Sequence, residues 1–187
     1  MHLRDEDERL SFTVEAVERF VETAAARGID EIGFTEDFLL GSVHWLGEQA
    51  VDAGEGLSDA APYFAALAAA AENGHFDVLS HLDLVKIFGL RPDPELHDGI
   101  VDAIAASGVA VEVSTAGLRK PVGEIYPGPE LLARLRECGV PITLASDAHL
   151  PSLVGEDFGL ALEAAREAGY GTVTVIESRP AYQEPLG

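Results

Sequence analysis

Apolar residues follow a helical spacing in five segments of the chain, recurring every three or four positions, which places them on one face of an α-helix. The first segment carries Val14, Val17, Val21 and Ala24 on one stripe and is followed by Gly28. A glycine also follows each of the other four segments, as is common at helix ends. These predicted helices are Ala61–Asn73, Pro94–Ser107, Pro129–Cys138 and Asp157–Ala168.

Short β-branched or apolar runs lie between these helices and predict strands. The predicted strands are Glu31–Thr35, Phe38–Val43, Phe76–Ser80, Ala110–Ser114, Ile142–Ser146 and Thr172–Ile176. Helices and strands that alternate through short, glycine-marked links are typical of a parallel sheet or a barrel. The sequence therefore predicts an α/β fold with about five or six mostly parallel strands and outer helices.

The alternation breaks near residues 36–38. Only Glu36 and Asp37 separate two predicted strands, whereas parallel neighbours need a connection of about a dozen residues. Either residues 31–43 form one long strand or a crossover unit is missing. No strand is predicted before the first helix, because only ten residues precede Ser11. Both observations predict an incomplete barrel.

Length and composition favour one packed domain. With 187 residues, 47% of them apolar, the chain can bury a sizeable core, and we treat residues 1–187 as a single domain. No apolar run approaches the roughly 20 residues of a membrane span, and the polar, acidic start is unlike a signal peptide. The single cysteine, Cys138, cannot form an intrachain disulfide and fits a reducing compartment. We therefore expect a cytoplasmic protein without a membrane span.

The formal net charge of −21 argues against nucleic acid or an anionic membrane as a partner, because an acidic surface is repelled by both. The same charge favours a metal cluster over a basic pocket as the means of binding a phosphorylated metabolite. Acidic surface charge that only serves solubility is the simpler explanation of the composition.

Three predicted strands are followed closely by a histidine, at His44, His81 and His149. Functional side chains of parallel α/β folds collect at these strand ends, which open on one mouth. A lone histidine is usually structural or merely exposed, but three at equivalent ends indicate a shared site. Asp147 and His149 would point to the same side of an extended chain, about 7 Å apart. Such ligands suit Zn, Mn or Fe; alternatively, Asp147 is a turn or cap residue.

Further polar residues near these strand ends have two interpretations each. Asp83 could orient the imidazole of His81 or be an ordinary loop acid. Glu112 and Ser114 alternate with valines, so that they share one face of a strand and could line a barrel interior.

Arg119 and Lys120 are adjacent cations in an acidic chain. Both are candidates for holding a substrate phosphate, which arginine can do with two parallel hydrogen bonds. A solvated loop is the alternative, more so for Lys120. We assign no role to His75, which lies in a predicted turn, or to His97, which lies on the polar face of a predicted helix.

At these residues the chain resembles the polymerase-and-histidinol-phosphatase (PHP) superfamily, and most of all its monofunctional histidinol-phosphatases. SVHWLG, SHLDLVKIFG and SDAH occur in the order typical of that family, and LRKPVGEIYP favours the histidinol-phosphatase branch over the polymerase-associated branch. The similar segments span most of residues 11–178. They are GIDEIGFTE, DFLLGSVHWLG, YFAALAAAAENGHFDVLSHLDLVKIFG, VEVSTAGLRKPVGEIYP and ITLASDAH.

The resemblance implies a distorted (β/α)7 PHP-type barrel with a trinuclear site for divalent transition metals, namely zinc, manganese or iron. It implies that His44 and His81 hold one metal. Asp147 and His149 would contribute to two others and so act in catalysis, and Arg119 would contact the substrate phosphate.

The sequence departs from the family pattern in two places. MHLR resembles the tail of the family's His-x-His motif, so that His2 would be its second histidine and the first is missing. After FTE the family has a further histidine ligand and later a metal-bridging glutamate, whereas Asp37 follows Glu36 directly here. We therefore expect an N-terminal truncation, an internal deletion near residues 36–38, and fewer than three bound metals.

The implied reaction is metal-dependent hydrolysis of L-histidinol phosphate to L-histidinol and phosphate, a step of histidine biosynthesis. The partner would then be a small phosphorylated metabolite. Two alternatives stay open: a catalytically impaired remnant with an incomplete metal site, and a PHP-type hydrolase of another phosphoester. Association into a homo-oligomer is one way in which such a chain would restore its core.

Overall fold

A four-stranded parallel sheet lies at the centre of the fold. The computed structural model of the protein describes residues 39–176 and 181–186, together with residues 19, 21–23 and 26. Its strands are β1 (Leu40–Gly41), β2 (Trp45–Leu46), β3 (Gln49–Ala50), β4 (Val78–Leu79), β5 (Ala110–Ser114), β6 (Ile142–Ala145), β7 (Thr172–Val175) and β8 (Tyr182–Pro185). The central sheet has the spatial order β1-β4-β5-β6, and its three pairings are parallel.

Four α-helices lie between or beside these strands. They are α1 (Ala61–Glu72), α2 (His97–Ser107), α3 (Pro129–Glu137) and α4 (Phe158–Glu167). A short 3₁₀ turn at Pro94–Leu96 precedes α2, so that the predicted helices are confirmed to within a residue or two at each end. Gly108 closes α2 in the left-handed conformation, with φ 74°, which a glycine adopts without steric cost.

The helices bury one face of the sheet. Val111 belongs to a core cluster with Tyr63 and Leu67 of α1 and Ile104 of α2. Val113 belongs to a second cluster, built with residues that include Leu132, Ile142, Ala161, Ala165 and Tyr170. Because side chains alternate along a strand, Glu112 and Ser114 project from the opposite face of β5, yet all five residues of β5 are buried. The sheet therefore encloses polar side chains on its inner face, as the alternation in the sequence predicted.

Antiparallel pairings are the features that the sequence did not predict. The strand predicted at Thr172–Ile176 is confirmed as β7, but its hydrogen-bonded partner is β8, which runs antiparallel to it. A second hairpin pairs β2 with β3 across Gly47. Two-residue strands are too short to show an alternating pattern, which is why β2 and β3 could not be recognised.

Within the described residues the central sheet has two open edges, in agreement with the predicted incomplete barrel. Residues 19, 21–23 and 26 are helical, as predicted for the first segment. His2, the strand predicted at Glu31–Thr35 and the deletion expected near residues 36–38 lie outside the described residues. Among those that are described, no helix is long and apolar enough to cross a bilayer.

Candidate metal centre

His44 and His81 meet at the carboxyl ends of two adjacent strands. His44 follows β1 and His81 follows β4, and these strands pair directly. The two rings lie 5.0 Å apart between centroids, with 75° between their planes. The predicted convergence of these two histidines is therefore confirmed. His81 has a φ of 30°, a conformation that a non-glycine residue keeps only where its surroundings hold it.

The imidazole of His81 is poorly hydrated and neutral. Burial, with a smaller contribution from nearby His44, lowers the pKa of His81 to about 4, although the carboxylate of Asp147 acts in the opposite direction. Its Nδ1 atom is buried and has no hydrogen-bond partner among the described residues. A neutral imidazole with an unsatisfied buried nitrogen is suited to ligate a metal ion.

The imidazole of His44 is oriented by the carboxylate of Asp52, which no sequence pattern singled out. Nδ1 of His44 lies 2.8 Å from Oδ2 of Asp52, which directly follows the unpredicted β2–β3 hairpin. If Nδ1 carries the proton and donates a hydrogen bond to Asp52, then Nε2 is the unprotonated nitrogen. This is the arrangement by which carboxylates orient metal-binding histidines.

Asp147 and His149 lie beyond the end of β6, in a turn. The prediction that they share one side of an extended chain is wrong, because β6 ends at Ala145 and Asp147 has a φ of 46°. The turn brings Nδ1 of His149 within 3.9 Å of Oδ1 of Asp147 and to 3.0 Å from the backbone oxygen of the same residue. The turn therefore brings the two side chains close to each other.

The charge of Asp147 reaches the inner face of the sheet. It raises the pKa of both His81 and Glu112; His81 follows β4, and Glu112 lies on the neighbouring strand β5. His149, in contrast, is 53% exposed at its side chain. Among the described residues no three histidine, cysteine, aspartate or glutamate side chains lie close enough to form a metal-binding group. The structure therefore brings His44 and His81 together and places Asp147 near enough to His81 to affect its pKa. His149 is more exposed to solvent.

Glu112 is an ionisable group enclosed by the sheet. Burial, with a smaller contribution from the charge of Asp147, raises the pKa of Glu112 to about 7, although hydrogen bonds from the hydroxyls of Ser114 and Ser80 act in the opposite direction. The carboxyl group can therefore change its protonation state near neutral pH. Sequence periodicity predicted its orientation but not this environment, which depends on neighbours from β4 and from the turn after β6.

Arg119 lies at the end of a 3₁₀ helix, Thr115–Arg119, that follows β5. One of its terminal nitrogens donates to the backbone oxygen of Ser146, and the other lies 3.4 Å from Oε2 of Glu156. The adjacent Lys120 is exposed, as expected for the solvated-loop alternative. Arg119 is thus partly buried beside the turn that carries Asp147.

Asp83 binds the loop that precedes α3 and pairs with a lysine. Its Oδ2 atom lies 2.8 Å from Nζ of Lys86 and accepts a hydrogen bond from the N–H of Gly128 at 2.8 Å. Lys86 also donates to the backbone oxygen of Ile125. The described contacts of Asp83 are therefore with this lysine and loop rather than with an imidazole.

The two histidines without an assigned role have different surroundings. His75 is exposed, and its N–H donates to Oδ1 of Asn73, which confirms the predicted turn. The prediction that His97 lies on a polar helix face is wrong. Its ring is buried 5.3 Å from that of Phe64, because α1 packs against α2 at this position.

The chain is similar to known proteins over part of their length. No protein-family model matches it. It is 41% identical over 151 residues to a "Probable histidinol-phosphatase" of Deinococcus radiodurans, covering 75% of this chain and 58% of that protein. It is 28% identical over 114 residues to another protein of that name in Schizosaccharomyces pombe, covering 55% and 37% respectively.

A solved structure has the same fold. The histidinol phosphate phosphatase of Lactococcus lactis, in complex with zinc, L-histidinol and phosphate, superposes with a TM-score of 0.61 at 24% identity. The superposition covers 80% of this chain and 62% of that protein. The chain therefore spans about three fifths of the length of the proteins from Deinococcus radiodurans and Lactococcus lactis.

Proposed function

We propose that this chain, a relative of the histidinol-phosphatases with the fold of histidinol phosphate phosphatase, takes part in metal-dependent hydrolysis of L-histidinol phosphate. The products would be L-histidinol and phosphate, in histidine biosynthesis. The observation that carries the proposal is the pairing of a neutral, buried His81 with a carboxylate-oriented His44 at adjacent strand ends. The partner would be a small phosphorylated metabolite, and neither nucleic acid nor a membrane.

The residues present fit a divalent transition metal such as zinc, manganese or iron. His44 and His81 supply two imidazoles, and Nδ1 of His81 is a buried nitrogen that lacks a hydrogen bond among the described residues. Asp147 and His149 would complete further positions from the opposite side of the mouth, with His2 expected from the start of the chain. When bound, such metals supply hydroxide near neutral pH and stabilise charge on phosphate oxygens.

Side chains of the protein itself would orient a metal-binding imidazole and neutralise charge on the substrate phosphate. Asp52 fixes the ring of His44, so that Nε2 faces away from the carboxylate. Arg119 would neutralise charge that develops on the phosphoryl oxygens, provided that it turns from Glu156 towards the substrate. Glu112 and His81 are both buried, so that few water molecules reach them on the inner face of the sheet.

A second candidate function is supported by the small number of metal-ligand side chains that converge within the described part of the chain. No metal-binding group of three acidic, histidine or cysteine side chains exists among the residues that the structure describes, and the chain spans about three fifths of its relatives. A catalytically impaired relative that binds fewer than three metals, as part of a longer protein or of a homo-oligomer, accounts for both observations.

Metal analysis combined with phosphate release tests both candidates. The purified 187-residue chain is loaded with zinc, manganese or iron and assayed with histidinol phosphate and with p-nitrophenyl phosphate. We expect fewer than three metals per chain and slow release from histidinol phosphate, abolished in His81→Asn and retained in His75→Asn. Three metals with rapid turnover would exclude the impaired candidate. Release from p-nitrophenyl phosphate alone would favour another phosphoester, and a chain without metal or phosphate release would exclude the proposed hydrolysis.

A further inference from the structure

Asp147 lies in a turn whose backbone conformation is unfavourable for a residue with a side chain. Its φ of 46° lies in the left-handed region, which a residue with a side chain adopts only where neighbouring contacts hold it. The peptide group that precedes Asp147 is formed by the carbonyl of Ser146. Contacts to Ser146 therefore control the direction of the Asp147 carboxylate.

Two contacts fix Ser146. A terminal nitrogen of Arg119 donates to its backbone oxygen, and its hydroxyl oxygen accepts from the N–H of Gly155 at 3.0 Å. Ser146 itself is buried, with 6% of its surface exposed, so that water does not readily replace either contact. Arg119 and the segment around Gly155 thus hold the turn from two sides.

Glu156 links these two contacts. Its carboxylate lies 3.4 Å from the remaining terminal nitrogen of Arg119, and its backbone oxygen accepts a hydrogen bond from the hydroxyl of Thr115 at 2.7 Å. Thr115 is fully buried directly after β5. The backbone of Glu156 is therefore anchored directly after β5. Its carboxylate faces the guanidinium of Arg119 as an ion pair without a hydrogen bond, on the side away from the nitrogen that donates to Ser146.

We propose that Arg119 and Glu156 are positioning residues that hold Asp147 for metal binding. Glu156 orients Arg119, and Arg119 fixes the carbonyl that sets the Asp147 turn. This inference rests on the proposed function, because Asp147 is a ligand only if the site binds metal. It adds a role for Arg119 in the absence of substrate, beyond contact with a phosphate. A bound phosphate would compete with Glu156 for the guanidinium.

Amide hydrogen exchange of the metal-free 187-residue chain tests the contact without relying on activity. Glu156→Gln removes the charge that orients Arg119, and Glu163→Gln makes the same change at an exposed position of α4. We expect exchange of the peptide covering residues 146–156 to become about tenfold faster in Glu156→Gln, since local opening controls exchange. Exchange in α2 should not change, and Glu163→Gln should match the unmodified chain. Equal exchange of residues 146–156 in both variants overturns the proposal.

Zinc titration separates this inference from the proposed function. We expect Glu156→Gln and Arg119→Met to weaken zinc binding about tenfold, the range typical for residues that orient ligands, while Glu163→Gln leaves it unchanged. Faster exchange without weaker zinc binding overturns the positioning role. If the unmodified chain binds no zinc, the proposed function fails; the positioning role then fails with it, whereas the exchange result still decides whether Glu156 holds the turn.

Discussion

Nδ1 of His44 lies 2.8 Å from Oδ2 of Asp52, and this contact connects the proposed metal centre to a hairpin that is only two residues long on each side. We expect Asp52→Asn to weaken zinc binding about 10- to 100-fold, because an amide holds the imidazole in the required tautomer less firmly than a carboxylate does. Isothermal titration of the metal-free chain measures this. Asp102→Asn, at an exposed position of α2, is the matched control. Equal affinities in the two variants would show that Asp52 does not orient His44 for a metal.

Asp52 also illustrates what the sequence could and could not predict. Helices with a 3.6-residue period and buried strands such as β5 carry their own signal, and so did the histidines that follow β1 and β4. The hairpin that presents Asp52 has no periodic signal, because two-residue strands cannot show one. For a related reason, the turn of Asp147 was only the alternative to an extended chain. Its left-handed φ depends on contacts from Arg119 and Gly155, which are distant in the sequence.

The buried carboxyl group of Glu112 should contribute more to the stability of the metal-free chain as the pH falls from 8 to 4.5. The folded-state pKa of Glu112 is raised to about 7, so that the folded chain binds the proton more tightly than the unfolded chain. The stabilising contribution is complete below the unfolded pKa and is lost as the pH rises through 7. Glu112→Gln should remove roughly 3 kcal/mol of this pH dependence, as measured by urea unfolding at pH 5 and pH 8. Parallel pH profiles for the variant and the unmodified chain would contradict it.

His81 should have the opposite effect on stability. Its folded-state pKa is lowered to about 4, so that the unfolded chain takes up the proton first as the pH falls below 6.5. The contribution of the neutral imidazole is therefore present above the unfolded pKa and is lost as the pH falls towards 4. In a Glu112→Gln background, we expect a loss of up to about 3 kcal/mol between pH 7 and pH 4. His81→Gln in the same background should remove that loss, as measured by urea unfolding at pH 7 and pH 4. A loss of the same size in the His81→Gln variant would contradict the prediction.

Lys86 should contribute to stability through its buried ion pair with Asp83. Both side chains are at least nine-tenths buried, so Lys86→Met leaves a buried carboxylate without its cation. We expect a loss of about 3–5 kcal/mol in the free energy of unfolding. Lys120→Met is a matched control, because Lys120 is exposed and should change stability by no more than about 0.5 kcal/mol. Asp83→Asn combined with Lys86→Met should recover part of the loss, since the unpaired charge is then absent. Similar losses for the two lysine variants would contradict the role of the buried pair.

Gly117 is required where the segment that carries Arg119 passes the following loop. A Cβ atom at this position would lie 2.0 Å from the backbone oxygen of Glu124 and 2.9 Å from the ring of Tyr126. Backbone cannot give way as a flexible side chain can, so Gly117→Ala should displace the loop and lower the free energy of unfolding by about 1–3 kcal/mol or more. Gly99→Ala is the matched control, because no atom lies within 4 Å of its added Cβ and its position in α2 favours alanine by up to about 1 kcal/mol. Urea unfolding should therefore give changes of opposite sign in the free energy of unfolding for the two variants.

Because Arg119 follows Gly117 by two residues, amide exchange of residues 146–156 should also increase in Gly117→Ala and stay unchanged in Gly99→Ala. A destabilised Gly117→Ala variant with unchanged exchange there would show that the turn of Asp147 does not depend on the position of Arg119.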